Sequence, residues 1–77
     1  VPVHFGGASC NMSEICRLSK EYGFAIVEDA AHALGGSYLD RKIGSCSHSE
    51  MCCLSFHAVK SITTGEGGAI TTNDDNL

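Results

Sequence analysis

The chain has little positive charge to offer a partner. Five lysines and arginines stand against nine acidic residues, a formal net charge of −4, and the five are scattered. That pattern excludes the basic footprint of a nucleic-acid binder or of a protein that rides on an anionic membrane. No apolar run approaches the ~20 residues of a membrane-spanning helix, and the first residues lack the charged and apolar regions of a signal peptide. Repeats, low-complexity tracts and linkers are missing as well. So is a paired cysteine framework: Cys10, Cys16, Cys46, Cys52 and Cys53 are odd in number and show no framework spacing. They read as reduced thiols of a cytosolic protein, with Cys52 and Cys53 acting as small hydrophobes in an apolar run.

Two ligand signatures fail on spacing. Cys46, His48, Cys52, Cys53 and His57 crowd one stretch, but five residues separate Cys46 from Cys52, and the neighbours Cys52 and Cys53 face opposite sides of a strand. No metal is expected there. Lys60-Ser61 lacks the glycines of a phosphate loop. Length sets a further bound, because a lone chain of 77 residues buries only about 60% of the surface its unfolded form exposes. The chain opens on Val1 with a β-prone run already under way, and it closes on a turn, Asn73 to Leu77. Both ends are expected to continue into a longer protein, with no complete domain in this stretch.

What is present reads as alternating strand and helix. Val1 to Phe5 is a short β-prone run closed by Gly6-Gly7. Asn11 stands in N-cap position with Glu14 three residues on, the spacing of a capping box. Met12, Ile15, Cys16, Leu18 and Ser19 then approximate one buried helical face, and Tyr22-Gly23 ends it with a left-handed cap. Phe24 to Val27 is a continuous apolar run ending in Glu28-Asp29, as for a central strand buried on both faces. Strand, helix, strand with short connections is a βαβ unit, which predicts an α/β fold with a mostly parallel sheet. Beyond it, Ala30 to Leu34 is a helical or loop piece, Ser37 to Ile43 a hairpin turning at Asp40-Arg41, Gly44 to Glu50 a polar loop, and Met51 to Phe56 and Ala69 to Thr72 two further strands.

In such sheets functional groups gather at the carboxyl ends of strands. Asp29, Ser55 and Lys60 all fall at strand ends or just after them. A lysine, a carboxylate and a hydroxyl are the groups a pyridoxal phosphate enzyme needs. The amine holds the aldehyde, the carboxylate keeps the pyridine nitrogen protonated, and hydroxyls with backbone N–H groups hold the phosphate. Glycines at 65, 67 and 68, behind Lys60, signal unusual φ or close backbone approach.

The wording around these residues is specific. Val27-Glu28-Asp29-Ala30-Ala31-His32-Ala33-Leu34-Gly35 is followed, 31 positions from aspartate to lysine, by Leu54-Ser55-Phe56-His57-Ala58-Val59-Lys60 and then Thr64-Gly65-Glu66-Gly67-Gly68-Ala69. These blocks resemble the two signatures of the DegT/DnrJ/EryC1/StrS aminotransferases, pyridoxal-phosphate-dependent nucleotide-sugar enzymes of fold type I. The resemblance implies that residues 1–77 are the central part of the cofactor-binding large domain. It implies that Lys60 forms the Schiff base and moves the proton, that Asp29 pairs with the pyridinium nitrogen, that His32 lies near the ring, and that Ser55 binds the phosphate. His57 belongs to the same motif as a pocket candidate, and Gly65 to Gly68 shape the loop near a homodimer interface. Lysine at position 60, where a dehydratase branch carries histidine, favours transamination. The implied reaction is amino transfer from glutamate to a UDP-linked 4-keto sugar. The alternatives are a truncated or degenerate non-catalytic chain, and a pyridoxal-phosphate-dependent sugar dehydratase.

Overall fold

Helix α1 (Met12–Tyr22) begins and ends where its chemistry says it should. The Asn11 side chain accepts the Glu14 backbone N–H, and Gly23 closes the helix at φ 72°, a left-handed conformation that a side chain would strain. Met12 is buried and Ile15, Cys16, Leu18 and Ser19 are half-buried, the face expected from their spacing. On the opposite face Arg17 donates to both Glu14 and Glu21.

The computed structural model describes residues 1–60 and 62–77. A 3-10 turn (Phe5–Gly7) precedes α1. Five strands follow: β1 (Val27–Asp29), β2 (Ser37–Tyr38), β3 (Arg41–Lys42), β4 (Met51–Ser55) and β5 (Gly68–Thr71). β1 pairs parallel with β4, and β5 returns antiparallel beside β4. On the far side of β1 a single parallel bridge joins Val3 to Asp29. The fold is α/β and its sheet is mixed: β1 is parallel both to β4 and to the Val3 bridge across α1, and β5 reverses.

Several boundaries differ from the sequence reading, each for a physical reason. Val1 to Phe5 contributes a bridge rather than a full strand. The first central strand runs from Val27, not Phe24, because Glu50 fixes the register. Its N–H donates to the Ile26 carbonyl at 3.0 Å and its carboxylate accepts the Ile26 N–H at 2.6 Å. That register leaves Phe24 exposed and turns Glu28 inward, so β1 is not apolar on both faces. The hairpin turns at Leu39-Asp40, both with positive φ, one residue earlier than Asp40-Arg41. Tyr38 explains the shift: its hydroxyl donates to Asn11 Oδ1 at 2.9 Å and its ring meets His48 edge-on at 5.6 Å.

The core is small. Ala30, Ala33, Cys46 and Cys52 cluster with Ile43 and Leu54 against them, and Met12 and Ile26 are also buried. Two polar side chains are buried with them, His4 at 0% and Glu28 at 5% exposure. Each is fully satisfied. His4 Nδ1 accepts the Cys10 N–H at 3.1 Å, which assigns the ring proton to Nε2. Nε2 then donates to Glu28 Oε2 at 2.6 Å, and the Ser49 hydroxyl donates to Glu28 Oε1. The pair is thus a neutral imidazole on a carboxylate.

All five cysteines are free thiols. Burial, then the nearby Glu28 carboxylate, push the Cys52 thiol from 9.0 up to about 12. The folded state holds this proton more tightly than the unfolded chain. The matching contribution to stability is therefore whole below about pH 9 and falls as the pH rises toward 12. At pH 8 Cys52 should resist iodoacetamide in the native protein and react only once denaturant exposes it. Peptide mapping by mass spectrometry, with and without denaturant, reads this directly, and rapid native alkylation of Cys52 would contradict the burial.

Candidate active site

The carboxyl end of β1 runs straight into a tight turn. Asp29 Oδ1 accepts the Ala31 N–H at 3.1 Å, and the Ala33 N–H returns to the Ala30 carbonyl at 3.0 Å. This folds the chain so that His32 emerges at the surface beside the sheet edge. From the neighbouring strand β4 the chain leaves in the same direction. Ser55 ends that strand, and its hydroxyl accepts the His57 N–H at 3.4 Å. The Lys60 N–H closes a turn onto the His57 carbonyl at 2.9 Å. Parallel pairing of β1 with β4 is what brings these two exits together.

Between them lies a small open cleft of about 70 Å³, lined by Ala31, His32, Leu34, Ser55, Val59 and Lys60. Lys60 is half-buried, and its Nζ stands 2.9 Å from His32 Nε2. With Lys60 as donor, Nε2 accepts and the ring proton sits on Nδ1. Among the described residues no acceptor takes the Ser55 hydroxyl proton, which leaves that group able to donate to a bound oxyanion. Asp29, half-buried at the end of β1, does not line this cleft; it sits immediately behind the turn that carries His32. His57 is exposed and is not among the lining residues. Of the residues singled out from the sequence, Lys60, His32 and Ser55 meet around one space.

The glycines behind Lys60 act as the sequence suggested. The loop is strapped across its base by Phe56 N–H to the Gly67 carbonyl at 2.8 Å, Ala58 N–H to Gly65 at 3.1 Å and Thr64 N–H to Phe56 at 2.9 Å. A Cβ on Gly68 would lie 2.7 Å from the Leu54 carbonyl oxygen, so only glycine lets β5 approach β4 at that point.

Two features escaped the sequence reading. Phe5, 79% exposed, stacks on His32 with ring centroids 6.2 Å apart. The other is the buried His4–Glu28–Ser49 network. Its signal was the alternation of β1: if Asp29 faces one side, Glu28 faces the other and needs a partner there. Among the described residues no group of three or more histidine, cysteine or acidic side chains converges as a metal site, and no helix is long and apolar enough to cross a membrane.

Comparison with known proteins gives a consistent set of matches. The family model for the DegT/DnrJ/EryC1/StrS aminotransferase family matches residues 1–77. The spore coat polysaccharide biosynthesis protein SpsC of Bacillus subtilis is 47% identical over 77 residues, covering 100% of this chain and 19% of SpsC. The UDP-4-amino-4,6-dideoxy-N-acetyl-beta-L-altrosamine transaminase of Campylobacter jejuni is 47% identical over 75 residues, covering 97% and 19%. Among solved structures, Helicobacter pylori PseC, an aminotransferase involved in the biosynthesis of pseudoaminic acid, superposes with a TM-score of 0.90 at 38% identity. That match covers 96% of this chain and 19% of PseC. The chain thus spans about a fifth of the length of these relatives.

Gly68→Ala should open the β4–β5 ladder, because the added methyl group has no room against backbone. The expected cost is about 1–3 kcal/mol of stability, with faster amide exchange at Phe56 and Ala58. Hydrogen-exchange mass spectrometry on the variant checks this; unchanged protection of those two amides would show that the close approach is not what holds the loop.

Proposed function

This chain belongs to the DegT/DnrJ/EryC1/StrS aminotransferase family, and from that premise we propose that its parent protein is a pyridoxal-phosphate-dependent aminotransferase acting on a nucleotide-linked keto sugar. The observation that carries the proposal is the cleft where Lys60 Nζ meets His32 Nε2 at 2.9 Å, with Ser55 on the same wall. Residues 1–77 are, on this reading, the central part of the cofactor-binding large domain. Among the described residues ten large hydrophobic side chains stand exposed, including Val1, Phe5, Val59 and Ile70; the remainder of the large domain and a homodimer partner would cover such apolar surface.

The residues present fit the cofactor. Lys60 offers a half-buried primary amine, His32 a ring beside it, and Ser55 a hydroxyl proton with no acceptor among the described residues. Pyridoxal phosphate supplies an aldehyde that carries the amino group and a ring that takes up the electrons of the broken C–H bond. Lys60 would hold the cofactor and then serve as the base that shuttles the proton between the two reacting carbons. Asp29 would keep the pyridine nitrogen protonated: its Oδ1 accepts the Ala31 N–H, and among the described residues no donor reaches its other oxygen. His32 would contact the ring region and Ser55 the phosphate, with Gly65 to Gly68 shaping the loop beside them. Lysine rather than histidine at position 60 favours amino transfer over dehydration.

The finer reading is a UDP-linked 4-keto sugar as acceptor, glutamate as amino donor, and a cytoplasmic homodimer as the working form. The Campylobacter relative, a UDP-4-amino sugar transaminase, supports the nucleotide and the carbon. In the full-length protein, borohydride treatment with pyridoxal phosphate should fix the cofactor to Lys60, read by peptide mass. Lys60→Ala should abolish that label and lower amino transfer ~10²–10⁴-fold, the usual contribution of a positioned proton carrier. Asp29→Asn should keep the label but slow transfer. Labelling and transfer that survive in Lys60→Ala would overturn the assignment, and a wild-type protein that takes no label would favour a non-catalytic chain.

A further inference from the structure

The cleft lies beyond the carboxyl end of β1; the strand itself carries a carboxylate that no step of the proposed reaction needs. Glu28 is 5% exposed and His4 is wholly buried. Two donors fix the two oxygens of Glu28: His4 Nε2–H at 2.6 Å and the Ser49 hydroxyl. A third hydrogen bond, from the Cys10 N–H, fixes the far nitrogen of the imidazole. Burying such a set gains little stability, since an apolar pair of the same volume is commonly as stable. What it does supply is direction.

The direction matters because of what lies next along the chain. In a strand, neighbouring side chains leave on opposite sides, so a rotation of β1 about its axis swings Glu28 and Asp29 together. The backbone grips Asp29 on one edge and its neighbour Ala30 on the other. The Asp29 N–H donates to the Pro2 carbonyl at 2.9 Å and the Asp29 carbonyl accepts the His4 N–H at 3.0 Å, while Ala30 N–H reaches the Cys53 carbonyl at 2.9 Å. The grip on the Pro2–His4 side is only an isolated bridge. The same His4 whose N–H makes that bridge also places its ring on Glu28. One residue therefore holds β1 by backbone and by side chain at once.

We propose that the buried His4–Glu28 pair is a positioning device that pins the rotation of β1 and so sets the direction of the Asp29 carboxylate toward the cofactor. The proposal rests on the reading of Asp29 as the partner of the pyridine nitrogen. Ser49 steadies the pair from the loop before β4, and Cys10 steadies it from the approach to α1. None of the four touches the reacting atoms; they act through Asp29.

The test uses the full-length holoenzyme and reads the midpoint of the pH titration of the bound cofactor's visible absorbance, a quantity sensitive to the carboxylate beside the ring. Three variants are compared with wild type: Asp29→Asn, the paired apolar replacement His4→Leu with Glu28→Met, and Ser49→Ala. The paired replacement keeps volume and leaves no charge unpaired. It should move the midpoint in the same direction as Asp29→Asn, by about half a pH unit, and Ser49→Ala should move it less. Combined with Asp29→Asn, the paired replacement should add almost nothing, because the two changes act on one group. A paired variant that folds and titrates like wild type overturns the proposal. If that variant does not accumulate, Ser49→Ala decides alone, and a wild-type midpoint for it overturns the proposal as well. An unmoved Asp29→Asn would instead overturn the reading beneath, which separates the two failures.

Discussion

A carboxylate taken out of water loses several kcal/mol of hydration unless something inside the protein replaces it. Glu28 is in that position, and the rest of the structure is arranged around satisfying it. The three groups that meet there come from three separate segments: His4 from the opening bridge, Glu28 from β1, Ser49 from the loop leading into β4. The hydrocarbon core is too small to align these segments alone, with alanines and cysteines supplying most of its buried cluster. A directional contact does what bulk packing cannot. It gives the N-terminal segment one seat on the sheet, and that seat determines which way the end of β1 faces.

The cleft is a consequence of the same alignment. Two parallel strands end side by side, and the chain leaves each one through a turn closed by its own hydrogen bonds. Asp29 caps one turn through Ala31, and Ser55 with His57 organises the other. Lys60 is then delivered by a loop whose base is strapped to β5. Its amine is held at hydrogen-bond distance from His32 without either group lying on a regular element. Loops can carry such groups with useful precision only when their stems are fixed, and here the glycine at 68 allows the stems to close.

The distribution of exposed apolar side chains fits a piece of a larger body. Phe5, Val59 and Ile70 are each more than half exposed, and β5 has no neighbour on its outer edge among the described residues. A chain that spans 19% of PseC yet superposes on it with a TM-score of 0.90 keeps the local geometry of a long protein. Helix caps, tight turns and the ladder of β4 with β5 all close within the segment.

Much of this was legible in the residues. The helix from Met12 to Tyr22, with Asn11 and Gly23 at its ends, follows from capping chemistry and spacing, because both are local. The same holds for the βαβ order, which short connections and chirality restrict to parallel pairing. The placement of Asp29, Ser55 and Lys60 at or just after strand ends was legible too, whereas His32 entered only through the resemblance of the signature blocks. Register was not. The one-residue shift of the hairpin depends on Tyr38 reaching Asn11 across 27 positions, and the later start of β1 depends on Glu50 holding Ile26 across 24. The inward Glu28 was invisible for the same reason: whether a carboxylate can be buried depends on a histidine and a serine that only folding brings to it. The sequence by itself determined which elements form and which chemical groups stand at their ends, since those follow from neighbours along the chain. Tertiary structure alone decided register, the partner of Glu28 and the meeting of Lys60 with His32, since those depend on contacts between residues that the chain keeps far apart.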